Sequence, residues 1–206
     1  MNRLLAVSMA LLVCLPALPL AALEAGTIGG SPLAGSRPSP ALFTNATAAA
    51  GLSGLLADSY AWGDYNNDGY EDLLVKGYRL FRNNGPPNYN FMEVSQQVKI
   101  GTAYGYSVWG DYNNDGNLDF FCCGQDENQR DSLWRNTGSP GYTFVNASVE
   151  AGGMDDGLKP SLAPAWVDYD RDGFIDIYIM NWRDAAGTCY ADVLWHNDGD
   201  GTFTQT

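Results

Sequence analysis

The chain has 206 residues, a formal net charge of −13 and a pI near 4.1, so it lacks the basic surface that binding to nucleic acid requires. The same acidity argues against docking on anionic membranes. Its 6 Trp, 12 Tyr and 8 Phe residues argue against a disordered acidic segment, and its length allows one ordinary domain or two small ones.

The first 25 residues have the pattern of a secretory signal peptide. A short basic start, Met1–Arg3, precedes an apolar stretch that ends in small residues, with cleavage expected near Ala22 or Ala25. A transmembrane anchor is the alternative, but prolines interrupt the stretch and no basic stop follows it. Residues 26–40 are rich in Gly, Ser and Pro and are predicted to form a flexible linker. We therefore expect a secreted or extracellular protein, in the periplasm or at the cell surface if the host is bacterial, with no membrane insertion of the mature chain.

Three similar segments follow, and each contains a short acidic loop that ends in glycine. The loop reads GDYNNDG at residues 63–69 and 110–116 and VDYDRDG at residues 167–173. An aromatic segment precedes every loop. An apolar segment follows the loop, and after it come a segment reading LFRN, LWRN or LWHN, a turn and a short final segment. The loops recur after 47 and then 57 residues, a period that indicates a propeller or a solenoid. The tryptophan ahead of each loop is expected to pack between neighbouring units.

Each unit is predicted to form four short antiparallel strands, which is the composition of a β-propeller blade. We predict an all-β fold in which the acidic loop joins the first and second strands of each blade. The repeat region covers residues 41–206, with a leading outer strand at 41–47 and blades at about 58–95, 104–148 and 161–206. Three blades are too few to close a ring. The chain is therefore expected to be a fragment of a larger propeller, with assembly of several copies as the alternative.

The loops have the oxygen spacing of a calcium site. Oxygen-bearing side chains stand at positions 1, 3, 5 and 9, glycine at position 6 permits a sharp turn, and position 7 offers a backbone carbonyl. A simple hairpin turn is the alternative, but it does not need the ninth-position aspartate, and converging carboxylates repel one another without a cation. We predict up to three calcium ions. The expected ligands are Asp64, Asn66, Asp68, Tyr70 (carbonyl) and Asp72; Asp111, Asn113, Asp115, Asn117 (carbonyl) and Asp119; and Asp168, Asp170, Asp172, Phe174 (carbonyl) and Asp176.

These predicted sites differ from an EF-hand, because strands flank the loops and the twelfth-position glutamate is absent. Magnesium is disfavoured because it retains water and avoids sites made only of protein ligands. Extracellular sites of this kind bind calcium at about 10⁻⁴ to 10⁻³ M, which suits structural reinforcement. The third site is expected to bind most tightly, since it offers four carboxylates where the others offer three.

The segment WGDYNNDGYEDLLV, followed by LFRNNG and YNFMEVS, resembles the FG-GAP/VCBS repeat of integrin-α-type β-propellers. FTNATAAAGL and LWHNDGDGTFTQT make the chain most similar to the branch that includes cartilage acidic protein and bacterial ASPIC/UnbV-type proteins. The resemblance covers about residues 41–206 and implies an extracellular, calcium-stiffened propeller used for adhesion or ligand binding. The FG-GAP signature itself is absent, with YAWGD and YSVWGD in its place, so an integrin-like ligand face does not follow.

We expect a binding or adhesion module whose partner is an unknown extracellular protein or glycan. Aromatic residues such as Tyr104, Tyr106 and Trp182 either stack on sugars or pack between blades. The alternative is the propeller of a polysaccharide-degrading enzyme such as a lyase, since some lyases are similar calcium-bearing propellers. An enzyme is not expected, and no catalytic or cofactor-binding residue is assigned. His196, the single histidine, takes the place of an arginine in the other repeats and is interpreted as a turn residue.

Cysteines and glycosylation sequons leave alternatives open. Either Cys189 pairs with Cys122 or Cys123, or all three are buried thiols that form no disulfide. The sequons at Asn45 and Asn146 permit N-glycosylation in a eukaryotic host, or they reflect only the shared repeat, because they occupy matching places in it.

Overall fold

The described part of the chain consists of strands, turns and loops. A computed structural model describes residues 44–206 except for 102, 127, 155 and 156. The predicted signal peptide, the linker and the first three residues of the predicted outer strand lie outside the described residues. No helix within the described ranges has the length and the apolar character needed to cross a membrane.

Within the described residues the strands form three four-stranded antiparallel sheets, and in each sheet the strands are hydrogen-bonded in their sequence order. This is the architecture of β-propeller blades, so the predicted all-β fold is confirmed. Blade 1 contains β1 (Tyr60–Gly63), β2 (Asp72–Val75), β3 (Arg79–Asn83) and β4 (Phe91–Glu93). Blade 2 contains β5 (Ser107–Gly110), β6 (Asp119–Cys122), β7 (Ser132–Asn136) and β8 (Phe144–Asn146). Blade 3 contains β9 (Ser161–Val167), β10 (Asp176–Asn181), β11 (Val193–Asn197) and β12 (Phe203–Gln205).

The acidic loop joins the first and second strands of every blade. In blade 1 the strand register pairs Gly63, before the loop, with Asp72, after it. The same register recurs as Gly110 with Asp119 in blade 2. The ninth-position aspartate therefore begins the second strand and lies at the base of the loop.

Two hydrophobic cores lie between neighbouring blades. The second strands β2 and β6 are buried along their whole length, because successive side chains point to opposite faces and both faces are covered. The core between blades 1 and 2 includes Leu74, Leu80, Phe120, Trp134 and Phe144. The core between blades 2 and 3 includes Phe121, Leu133, Ile177, Trp195 and Phe203.

The tryptophan ahead of the loop packs against the preceding blade in two of the three repeats. Trp109 lies against Gly63, where an added Cβ would come within 2.9 Å of the indole ring. Trp166 lies against Gly110 in the same way, at 2.6 Å. The expectation is wrong for Trp62, which is 54% exposed, because no described sheet precedes blade 1.

A turn follows the outer strands β4 and β8 and contacts the next blade. Val98 O accepts from Phe144 N in blade 2, at 2.7 Å. Ala50 O accepts in the same way from Phe91 N in blade 1, at 2.9 Å. The segment near Ala50 thus occupies the same position as the turn that follows an outer strand in the other repeats. Thr44–Thr47, the described part of the predicted outer strand, is not in a strand here, since no described sheet offers it a partner.

No disulfide joins the three described cysteines. Cys122 and Cys123 are buried and Cys189 is exposed. The alternative with three thiols is therefore the one that this structure supports, but it is wrong about the burial of Cys189. Burial raises the pKa of the Cys122 thiol to about 12, so this thiol is held in its unreactive protonated form.

The two sequon asparagines have the same local role. Asn45 Oδ1 accepts a hydrogen bond from Thr47 N at 3.0 Å, and Asn146 Oδ1 accepts one from Ser148 N at 3.0 Å. Both asparagines are exposed. Their turn-forming role accounts for their recurrence in the repeat, and glycosylation stays a prediction.

Candidate metal centres

The three acidic loops follow nearly the same backbone path. Their fourth and sixth positions lie in the left-handed region, where asparagine and glycine are favoured. The φ angles at the fourth position are 55° for Asn67, 56° for Asn114 and 65° for Arg171. At the sixth position they are 89° for Gly69, 85° for Gly116 and 95° for Gly173. The glycine of the motif is thus explained by the turn that wraps the loop.

Backbone amides of each loop bind the carboxylates of the same loop. In the first loop, Asp64 accepts hydrogen bonds from Asp68 N at 3.0 Å and from Gly69 N at 2.8 Å. Asp68 in turn accepts one from Tyr70 N at 3.0 Å. The second loop repeats all three bonds, and the third keeps the bonds to its first- and fifth-position aspartates. The first and fifth ligand positions are therefore held on the inner side of one turn.

The ninth-position aspartates are fully buried and tie the loop to the third strand. The carboxylates of Asp72, Asp119 and Asp176 accept hydrogen bonds from the backbone N–H groups of Asn83, Asn136 and Asn197, at 2.7, 2.7 and 2.9 Å. Asp72 and Asp176 also accept a second bond, from Tyr65 N at 3.3 Å and from Tyr169 N at 3.1 Å. Asp119 interacts with Tyr112 N in the corresponding place, but its Oδ2 is buried and makes no hydrogen bond of good geometry. A buried carboxylate oxygen that lacks a partner is costly, and a bound cation would supply one.

Burial raises the pKa values of two of these aspartates. The pKa of Asp72 is raised to about 7 and that of Asp119 to about 8, mainly by burial and further by the negative charges of aspartates in the same loop. Hydrogen bonds from backbone N–H groups lower both values in part. Carboxyl groups with such pKa values are partly protonated at neutral pH unless a nearby cation stabilises their charged form. The arrangement therefore fits a divalent ion.

The third loop brings its carboxylates closest together. Carboxylate oxygens of Asp168, Asp170 and Asp176 lie within 4.8 Å of one another, and so do ligand atoms of Asp170, Asp172 and His196. Among the described residues, only this loop gathers three acidic or histidine groups so tightly. Calcium prefers six to eight oxygen ligands, several of them carboxylates. This geometry agrees with the expectation that the third loop offers the strongest site.

All predicted ligands lie in the three described loops, but the structure gathers the sets to different degrees. The third set converges, whereas the carboxylates of the first two sets bind loop amides and are spread more widely. The asparagines at the third position, Asn66 and Asn113, donate to the fifth-position aspartates at 2.9 and 3.0 Å. Their side chains therefore face the same interior as the carboxylates.

His196 contacts the third loop from a neighbouring strand, and its interpretation as a turn residue is wrong. It lies in β11, with Nδ1 3.0 Å from Asp176 Oδ1 and 3.5 Å from Asp170 Oδ2. The cause is the register of the third strand, which places the residue before Asn197 beside the loop. Alignment of the repeats indicated this position, because Arg82 and Arg135 precede the corresponding asparagines.

The asparagine that ends the third strand is a site residue that sequence reasoning missed. Asn136 Nδ2 donates to Tyr65 O, in the loop of the preceding blade, at 2.8 Å and to Leu118 O, in its own loop, at 3.2 Å. Asn197 makes the equivalent bond to Tyr112 O at 2.8 Å. Its recurrence in all three repeats was the available signal. These asparagines hold neighbouring loops at a fixed separation.

A cleft of about 1370 Å³ lies between blades 1 and 2, at the end of the strands opposite the acidic loops. Tyr78 and Tyr104 line it, with stacked rings whose centroids are 5.7 Å apart. The Tyr104 hydroxyl is bound to Lys76 Nζ at 3.0 Å. Tyr104 is therefore half-buried at the wall of the cleft, held by Tyr78 and Lys76, whereas Trp182 is 51% exposed.

Comparison with known families assigns the repeat. A model of the family described as FG-GAP-like repeat matches residues 111–179, from the second acidic loop into β10. The chain carries an FG-GAP-like repeat. The predicted resemblance to FG-GAP repeats is thereby confirmed, and the FG-GAP-like segment contains two of the three acidic loops. No curated protein matches the chain. The closer relation to the branch of cartilage acidic protein stays a prediction.

Proposed function

We propose that the chain is a secreted, calcium-binding β-propeller module in which calcium has a structural role. The observation that carries this proposal is the buried ninth-position aspartate beneath each loop, and above all Asp119 Oδ2, which makes no hydrogen bond of good geometry. The convergence of three carboxylates in the third loop supports it independently. The FG-GAP-like match over residues 111–179, which spans the second and third loops, also supports it.

Bound calcium would neutralise the converging carboxylates and join each loop to the strands beneath it. Asp72, Asp119 and Asp176 already bond to the third strand of their blade, so an ion held by them would brace three strands at once. Where free calcium reaches about ten times the dissociation constant, each site would add about 1.4 kcal/mol to the free energy of unfolding.

The proposed biological role is adhesion, or the binding of an extracellular protein or glycan, within the branch that includes cartilage acidic protein and ASPIC/UnbV-type proteins. Support comes from the exposed side chains on blade 3, where Tyr178 and Trp182 are half exposed, and from the cleft between blades 1 and 2. We propose a binding module and not an enzyme.

Titration calorimetry on the purified, chelator-stripped protein tests calcium binding. We expect up to three ions to bind, with dissociation constants of about 10⁻⁴ to 10⁻³ M, and magnesium to bind more weakly. A variant carrying Asp72→Asn, Asp119→Asn and Asp176→Asn is the matched control, since it keeps the size of each side chain and removes the charge. Absence of calcium-dependent heat at millimolar concentrations would contradict the proposal.

A glycan array tests the binding role. Retention of a glycan by the calcium-loaded protein, without turnover, supports a binding module. Turnover of an acidic polysaccharide would favour the lyase alternative.

A further inference from the structure

Side chains at the fourth position of the acidic loops join neighbouring loops to each other. Asn67 Nδ2, in the first loop, donates to Gly116 O and to Asn117 Oδ1 of the second loop, both at 3.2 Å. Asn114 Nδ2, in the second loop, donates to Gly173 O of the third loop at 3.2 Å. The same bond thus recurs at both junctions between described loops.

At the first junction this contact reaches a predicted ligand. Asn117 Oδ1 accepts the hydrogen bond from Asn67, and Asn117 Nδ2 donates one to Asp115 Oδ1, at 2.8 Å. Asp115 is the fifth-position carboxylate of the second loop. In the third loop Phe174 stands in place of Asn117, so the second junction has only the direct bond to the backbone.

The donor asparagine also has a fixed relation to its own site. Asn67 lies between Asn66 and Asp68, two predicted ligands, and its backbone is in the left-handed region, with φ of 55°. Holding its side chain on the next loop therefore restricts the two residues on either side of it. Conversely, a metal that orders Asn66 and Asp68 would hold the Asn67 side chain where it donates to the next loop.

We propose that Asn67 and Asn114 are positioning residues that couple calcium binding at neighbouring loops and make it positively cooperative. The inference rests on the proposed calcium sites. Ordering one loop reduces the conformational freedom that the next must lose, so the second ion binds more tightly. Because coupling between two binding sites is reciprocal, each site raises the affinity of the other by the same factor. One exposed hydrogen bond of this kind corresponds to about a threefold change in affinity.

A double-mutant cycle on the full chain tests this coupling by calcium calorimetry. Asp168→Asn disables the third site, and Asn114→Gly removes the connecting side chain while keeping the left-handed backbone. We expect Asp168→Asn to weaken calcium binding at the second loop about threefold in the parent and to have no such effect in the Asn114→Gly background. The same cycle with Asp111→Asn and Asn67→Gly tests the first junction independently, in case one variant does not fold.

Two control variants separate coupling from general effects of the substitution. Arg171→Gly changes the fourth position of the third loop, which has no described loop beyond it, and Lys99→Gly changes an exposed left-handed residue, with φ of 61°, away from the loops. Neither is expected to alter the cooperativity of the titration. If disabling one site leaves the calcium affinity of the neighbouring site unchanged in both cycles, the coupling is overturned and the calcium sites themselves stand. Absence of calcium binding in the parent would instead overturn the proposed function.

Discussion

At the scale of single residues, the buried ninth-position aspartate sets the behaviour of the calcium-free protein. Asp72 and Asp119 have pKa values raised to about 7 and about 8, above the ordinary value of about 3.9. Between about pH 4 and pH 8 the folded state therefore binds more protons at these groups than the unfolded state. The contribution of Asp72 and Asp119 to the free energy of unfolding is therefore fully present below about pH 4 and is lost as the pH rises through this window.

This linkage predicts that Asp119→Asn stabilises the calcium-free protein at pH 8, because the uncharged amide removes the cost of ionising a buried carboxyl. The same change should weaken the stabilisation by calcium. Thermal unfolding in chelator at pH 5 and pH 8, with and without added calcium, measures both effects. A calcium-free variant that is less stable than the parent at pH 8 would contradict the raised pKa of Asp119.

The cysteines should differ in reactivity because of their burial. Cys189 is exposed, whereas Cys122 is buried and its pKa is raised to about 12. In the mature protein, from which the predicted signal peptide with Cys14 is removed, we expect one thiol to react rapidly with a disulfide reagent at pH 8 and Cys122 to react only after unfolding. Cys189→Ser, as the control, should remove the rapid phase. Rapid reaction that persists in this variant would contradict the assignment.

Much of the candidate site could be predicted from residue types and spacing. Oxygen-bearing residues, a glycine for the left-handed turn and a strand-borne aspartate are local features, so the ligand positions in the loops follow from the sequence. The position of His196 depends on the pairing of β10 with β11, which spacing within one loop does not reveal. The same is true of Asn136, whose acceptor Tyr65 is 71 residues away.

At the scale of elements, the strand order within each blade was predictable because every hydrogen-bonded pair of strands is a pair of sequence neighbours. Contacts between blades were less predictable. The tryptophan ahead of the loop was expected to pack in all three repeats, yet packing requires a preceding blade with a glycine opposite. Trp109 and Trp166 have that partner, and Trp62 has none among the described residues.

The contact between Gly110 and Trp166 predicts that one added methyl group at residue 110 lowers the free energy of unfolding. In Gly110→Ala the new Cβ would lie 2.6 Å from Trp166 Nε1 and 2.8 Å from Ile175 Cδ1, and the rigid indole must shift. We expect a loss of about 1–3 kcal/mol in the free energy of unfolding, measured by denaturant titration. Gly141→Ala is the matched control, since its nearest neighbour would be Thr143 Cγ2 at 3.6 Å. Equal stability of the two variants would show that blades 2 and 3 do not pack as described.

At the scale of the whole molecule, the acidic loops account for much of the net charge of −13. The nine-residue segments 64–72, 111–119 and 168–176, which include the ninth-position aspartates, contain 11 of the 24 acidic residues, and each joins the first and second strands of its blade. Such a concentration of like charge destabilises the folded state in the absence of cations, and general salt screens it only in part. A specific divalent ion at each loop removes the repulsion where it is strongest.

Calcium is therefore expected to stabilise the protein far more than an equal ionic strength of sodium chloride. With three sites at about ten times their dissociation constants, the gain is about 4 kcal/mol, or about 10 °C in the unfolding midpoint for a domain of this size. Calorimetric unfolding in chelator, in calcium, in magnesium and in matched sodium chloride separates specific binding from screening. The variant with asparagine at positions 72, 119 and 176 should respond to calcium and to sodium chloride alike. If sodium chloride stabilises the parent as much as calcium does, the acidic loops act only as a charged surface and the three ions are not part of the fold.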